Sequence, residues 1–103
     1  MLIASVMDIP GKKYDVIGMV KGSVVQSKHV GRDIMAGFKT IVGGEIKGYT
    51  EMLSEARQIA TERMLKEAEA VGADAIIGVR FESASIMQNA AEILAYGTAI
   101  KFV

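Results

Sequence analysis

One stretch constrains the fold of this chain more than any other. Gly43 to Glu82, GGEIKGYTEMLSEARQIATERMLKEAEAVGADAIIGVRFE, reads as a glycine turn, a long helix, a glycine stop and a strand. Tyr49, Met52, Leu53, Ala56, Ile59, Ala60, Met64, Ala68 and Val71 recur three or four residues apart, so a 3.6-residue period gathers them on one stripe. The opposite side carries Glu55, Gln58, Thr61, Glu62, Lys66 and Glu69. Glu62 precedes Lys66 by four, the favourable order for an exposed ion pair. A helix from Gly48 to Val71 would be about 36 Å long, enough to cross a small sheet. Gly72 stops it, because glycine takes the left-handed C′ conformation without a Cβ clash. Beyond it, Ile77, Val79 and Phe81 alternate with Gly78, Arg80 and Glu82, which predicts a half-buried strand over Ala75 to Ser83.

Elsewhere the pattern is that of strands. Leu2 to Met7 reads as a short strand and Asp8-Ile9-Pro10-Gly11 as a turn, with proline presetting φ and glycine supplying positive φ. A second strand begins at Tyr14. In it Val16, Val20 and Val24 share one face and Ile17, Met19 and Val25 the other, with Gly18 and Gly22 marking bends or bulges. The spacing of Val30, Ile34, Phe38, Ile41 and Val42 predicts a second, shorter helix ended by Gly43-Gly44. Ala84 to Ala90 reads as a loose hairpin loop, and Ala91 to Val103 as the last strand. Leu94, Tyr96, Ile100 and Phe102 lie on one side of that strand, and Ile93, Ala95, Gly97 and Ala99 on the other. The predicted fold is a single α+β domain over residues 1–103, a mostly antiparallel, curled sheet wrapped on one long helix. One helix covers one face of a sheet, yet these strands are apolar on both. Either the short helix covers the second face or another copy of the chain does; half of the residues are apolar while the formal net charge is zero, which favours the copy, with the small set Ala95, Gly97 and Ala99 allowing close approach.

The run GG(x)4YxxxLxxARxxA followed by EAxxxGADAIIGVRFE resembles the YbjQ-like family, together with Pro10-Gly11, GMVKGSVV, GRDIMAGFKTIVGG and AYGTAIKF. The similarity covers nearly the whole chain. It implies a subunit fold similar to that of dodecin, assembled into a symmetric homo-oligomeric ring, a pentamer. It implies no established activity; the family label of heavy-metal binding is a conjecture.

The residues offer that label little. A soft-metal site needs three or four thiolate or imidazole donors around one ion. The chain has no cysteine and one histidine, His29. Only repetition around a symmetry axis, of His29 or of Asp33 one turn later, would assemble a metal site; otherwise His29 is a surface histidine. Of the methionines, Met19, Met35, Met52 and Met64 fall on apolar stripes and read as core filler. Gly43-Gly44 and Gly48 lack the spacing of a nucleotide loop and a Walker lysine, although an anion could rest beside Lys47 at the helix start. Ser27, His29 and Asp33 are close in sequence without forming a recognisable triad. Glu51 and Glu55, one turn apart, read as solvated. No catalytic residue is assigned. Arg80 and Glu82, on the polar side of their strand, would form ion pairs between subunits or line a pocket, and Tyr49 joins them as a candidate ligand contact.

Twelve basic residues balance twelve acidic ones, so no electrostatic attraction draws the chain to nucleic acid. MLIASVM lacks a basic leader and the length of a signal segment, and no run approaches a membrane span, so the expected location is cytoplasmic. The chain's expected partner is itself. The expected role is to bind a small ligand or ion at subunit interfaces, against two alternatives: an enzyme whose site is shared between chains and draws on His29, Arg80, Glu82 or Tyr49, and a purely structural protein.

Overall fold

A computed structural model describes residues 1–27, 41–42 and 45–103. Strands β1 (Leu2–Ile3), β2 (Tyr14–Ser27), β5 (Ala75–Met87) and β6 (Ala90–Phe102) form a sheet of order β1-β5-β6-β2. The β5-β6 and β6-β2 pairs are antiparallel and β1-β5 is parallel, so the α+β sheet is mixed. A two-stranded ribbon, β3 (Ile41–Val42) with β4 (Glu45–Ile46), leads directly into helix α1 (Lys47–Ala70). Ile41 and Val42 are therefore strand, not the end of a second helix; the rest of that expected helix lies outside the described residues.

Helix α1 ends as its glycine dictates. Gly72 has φ 76°, its N–H donates to the carbonyl of Glu69 at 3.1 Å, and the N–H of Ala73 reaches that of Ala68 at 3.0 Å. This pair of bonds satisfies carbonyls that the helix leaves open. Val71, placed on the apolar stripe by its spacing, falls in this turn and is exposed. The buried face is narrower than the periodicity implied: Met52, Ala56, Ala60, Met64 and Ala68, four residues apart.

Most of that face is alanine, and the sheet answers with equally small residues. Ala95 and Ala99 of β6 are fully buried against it with Val20, Val24, Ile76 and Ile93. A Cβ added at Gly22 would lie 2.3 Å from both the carbonyl oxygen of Ala60 and the amide nitrogen of Met64. Backbone thus rests on backbone. Gly22 keeps its regular partner Ala95, so it marks this contact rather than a bend. The small side of β6, expected to admit a neighbouring copy, instead receives the chain's own helix.

Two bulges overturn the predicted alternations. Between Val16 and Gly18 the register slips by one residue, with Gly18 at φ 150°. Val16 therefore turns away from Val20 and Val24 and is 65% exposed. In β5 the slip falls between Ile77 and Arg80, at Gly78 with φ 61°. Ile76 and Val79 consequently join the helix-side core, while Ile77 packs on the reverse face with Ala75, Ile100, Ile9, Tyr14 and Phe102. An extra residue reverses every side chain that follows it. Met19, read as core filler, is exposed on that reverse face, whereas Met52 and Met64 are core; Met35 lies outside the described residues.

Turns differ in how far local sequence set them. Pro10-Gly11 closes as expected, with Lys12 N–H donating to Ile9 at 3.3 Å and Gly11 at φ 76°. No loose loop follows Ser83: β5 runs to Met87, and Gln88-Asn89 turns the chain directly into β6, with Asn89 at φ 61°. Asparagine tolerates that conformation better than other side chains.

Gly22→Ala is expected to destabilise the chain by about 1–3 kcal/mol, because its methyl meets helix backbone that cannot swing aside. Urea unfolding checks it; an unchanged midpoint would mean that helix and strand are not in contact there.

Candidate functional site

Helix α1 lies over β2 and β6 and scarcely reaches β5. Among the described residues, a strip of sheet beside it stays open on the helix side. There Ile3, Ala4, Ser5, Val79, Arg80 and Phe81, with Thr61 from the helix flank, line a groove of about 580 Å³. Its walls are mainly apolar, and Phe81 is 49% exposed.

Arg80 stands at the groove's rim. The bulge at Gly78 sets its direction, and Nη1 donates to the carbonyls of Ser5 and Val79, both at 2.9 Å. This brace ties the segment after β1 to the middle of β5. A guanidinium carries five N–H donors, so most of Arg80's capacity remains for another acceptor. Across the register Arg80 faces Tyr96, whose hydroxyl donates to Oε1 of Glu82 at 3.0 Å. That bond raises the phenol's pKa above the usual 10.0, with desolvation and the carboxylate's charge adding to it and the Arg80 charge opposing. Arg80 and Glu82, singled out from the sequence, do come together, and Tyr96 joins them.

Tyr49 does not belong to this group. In the first turn of α1 its hydroxyl donates to Oδ1 of Asn89 at 2.7 Å, pinning the helix start to the tip of the β5-β6 hairpin. From there to Glu82 is roughly 20 Å of strand. Asn89 leaves its Nδ2 buried without a partner. A further tyrosine, Tyr14, donates to Asp8 Oδ1 at 2.5 Å across the Pro10-Gly11 turn, which raises its pKa in the same manner. Ser27, Glu51 and Glu55 are exposed. His29, Asp33 and Gly43-Gly44 lie outside the described residues.

The donor chemistry of a single chain does not suit a soft metal. Cysteine is missing and histidine occurs once. Among the described residues, no three of His, Cys, Asp and Glu come together. Among them, too, no helix is long and apolar enough to cross a membrane.

Sequence reasoning missed Tyr96, Asn89 and the groove itself. Tyr96 was readable as a residue on the same side of β6 as Leu94, but its pairing with Arg80 depends on the bulge. The groove has no linear signature, because it is defined by where the helix does not lie.

Among the described residues, a mixed sheet with one helix across two of its strands and an apolar groove along its margin defines a small α+β protein. A family profile described as "Putative heavy-metal-binding" matches residues 1–103, and the chain belongs to this YbjQ family. A UPF0145 protein of Thermotoga maritima is 63% identical over 102 residues, covering 98% of this chain and 96% of the relative. Another from Helicobacter hepaticus is 61% identical over 103 residues, covering 100% and 99%. Among solved structures, a protein of unknown function of the DUF74 family from Pediococcus pentosaceus is similar with a TM-score of 0.69, covering 100% of this chain and 98% of that one. At 16% identity, that likeness is one of fold.

A phenol with a raised folded-state pKa holds its proton more tightly in the folded chain. Its contribution is therefore fully present below pH 10.0, the unfolded value, and is lost as pH rises through the folded value. Glu82→Gln is expected to bring Tyr96 back toward 10.0 and to leave Tyr14 unchanged. The difference between the phenolate absorbance titrations of variant and wild type measures this; superimposable curves would mean that the Tyr96–Glu82 bond is not formed in solution.

Proposed function

We propose that the chain is a subunit of a homo-oligomeric ring, dodecin-like in fold and pentameric as its family resemblance implies, that binds a small ligand at the seams between copies. The observation that carries this reading is the groove beside α1. It is apolar, rimmed by a cation, and open along one side, so a neighbouring subunit would complete it into the kind of enclosed site that holds small molecules. The exposed surface supports assembly independently. Among the described residues, thirteen large apolar side chains are at least 40% exposed, including Val16, Met19, Val25, Phe81 and Met87. At about 200 Å² for a large side chain they expose roughly 1,000 Å² or more. A standard interface buries about 800 Å² on each side.

The chemistry of the rim favours an anion. Arg80 has donors to spare and the groove lining contains no carboxylate, so the ligand class is a small organic acid with an apolar body. A heavy metal fits this donor set poorly; an ion held by the ring would instead take His29 or Asp33 from several copies. The cluster of Arg80, Glu82 and Tyr96 favours a second reading, an enzyme whose site spans two chains, since titratable groups with altered proton affinity gather at functional sites. In either reading the chain acts as a single cytoplasmic domain whose partner is another copy rather than nucleic acid or membrane.

Sedimentation velocity at low micromolar concentration is expected to give a mass several times 11.0 kDa. A single 11 kDa species would overturn the assembly. For the ligand, 8-anilinonaphthalene-1-sulfonate serves as an apolar anionic probe. Arg80→Ala is expected to weaken its binding about tenfold or more, the loss of a charge-assisted hydrogen bond; unchanged binding would remove Arg80 from the site.

A further inference from the structure

The two long edges of the sheet are treated differently. On β2 the outward backbone groups near the middle are covered by the helix. Arg63 Nη1 donates to the carbonyl of Ser23 at 2.6 Å, and the amide of Lys21 donates to Oε1 of Glu67 at 3.4 Å. These helix residues sit one turn apart and close that edge to another strand. Side chains laid over an edge are a means of preventing unwanted pairing.

Among the described residues, no such cover protects β5. Its first residues pair with β1, and Val79 N–H donates to Ala4. The carbonyl of Val79 accepts from Arg80. Beyond that point, among the described residues, β5 pairs only with β6. Because β5 keeps regular register from Arg80 to Ser85, every second residue after Val79 turns its N–H and C=O away from β6. Those residues are Phe81, Ser83 and Ser85. Phe81 to Met87 contains no proline and no lysine, and one charge, Glu82. It is exposed throughout, with Phe81, Ile86 and Met87 at 49%, 51% and 67%. The register slips once more between Ser85 and Met87, yet an exposed edge of this length with a single charge after Arg80 is what monomeric proteins avoid.

We propose that the outer edge of β5, from Arg80 to Met87, is a strand acceptor that pairs with an extended segment of a second copy of this chain. The inference rests on the self-assembly proposed above and states where the seam runs. At about 3.3 Å per residue the edge is about 26 Å long, and with side chains on both faces the strip covers on the order of 500 Å². The groove of Ile3, Val79 and Phe81 continues it on the helix side. Together they approach the roughly 800 Å² that each partner of a stable interface buries. With one positive and one negative residue, Arg80 and Glu82, the strip has no net charge and does not select a strongly charged partner, and a copy of this chain, of zero net charge, suits it. Backbone pairing supplies the affinity in such contacts, and the alternating side chains supply the register. The incoming segment would also roof the groove, joining the seam to the ligand site.

Proline at Ser83 tests the seam, because it removes an outward N–H without removing a hydrogen bond to β6. Ser83→Pro is expected to shift the assembly toward the 11.0 kDa species, with dissociation at a concentration at least tenfold higher than wild type, while the helical circular dichroism is kept. Ser83→Ala is expected to assemble normally. If Ser83→Pro unfolds, hydrogen exchange of the wild type decides instead. The amides of Phe81, Ser83 and Ser85 are expected to be protected in the assembled state and to exchange quickly on dilution. An assembled wild type whose edge amides exchange freely, or a Ser83→Pro variant that assembles like wild type, overturns the seam and leaves self-assembly intact. Equal protection in dilute and assembled states would show that the chain covers its own edge, which also overturns it. A wild type that stays monomeric at every concentration overturns self-assembly itself, and with it this seam.

Discussion

The contact between the backbone of α1 and Gly22 decides the rest of the architecture. A helix can approach a strand this closely only where both surfaces are small, and here the helix supplies Ala56, Ala60 and Ala68 while the sheet supplies Gly22, Ala95 and Ala99. Small residues give little area each, but close approach lets many atoms touch, and dispersion gained that way accumulates. The position of this seam places the helix axis over β2 and β6. What remains uncovered is set by the same geometry: the helix-side strip of β5, with Val79 and Phe81, becomes a groove because no part of α1 is available to fill it.

Polar groups follow the division between covered and open. On the covered side, Arg63 and Glu67 lie across the β2 edge, and Tyr49 fastens the helix start to Asn89 at the hairpin tip. On the open side, Arg80 braces the segment after β1, and Glu82 holds Tyr96. Asp74 performs a similar task where the helix hands over to β5, accepting from the amide of Phe102 at 2.8 Å with Lys101 at 3.7 Å. Such exposed pairs add little stability. Their role is orientation. They aim Arg80 at the groove's rim, where its remaining donors are available to an acceptor.

Legibility in the sequence tracked how local the governing interaction was. The helix, its glycine stop and the Pro10-Gly11 turn depend on neighbours within a few residues, and each was readable. Side-chain parity in β2 and β5 was not, because the bulges at Gly18 and Gly78 invert it and a glycine in a strand does not announce whether it bulges or makes room. Gly22 is the counterexample in the same strand: it was read as a bend and serves as a close contact. The extension of β5 to Met87 was hidden by Ser83, Ala84 and Ser85, which have low strand propensity and take their conformation from pairing with β6. Of the candidate site, Arg80 and Glu82 were identifiable as polar residues on a half-buried strand. Tyr96 and the groove depend on cross-strand register and on the helix's position, neither of which has a linear pattern.

By itself the sequence determined the long helix, the cores of the strands and their chemistry: an alanine-rich helix face, strands apolar on both sides, no cysteine, a single histidine and no net charge. Periodicity and composition act within a few residues or over the whole chain, so those properties need no coordinates. Only the tertiary structure decided which face of each strand meets the helix, which edge is shielded and which is open, and that Arg80, Glu82 and Tyr96 share a neighbourhood. Each of those depends on register, and register is fixed by packing between residues far apart in the chain.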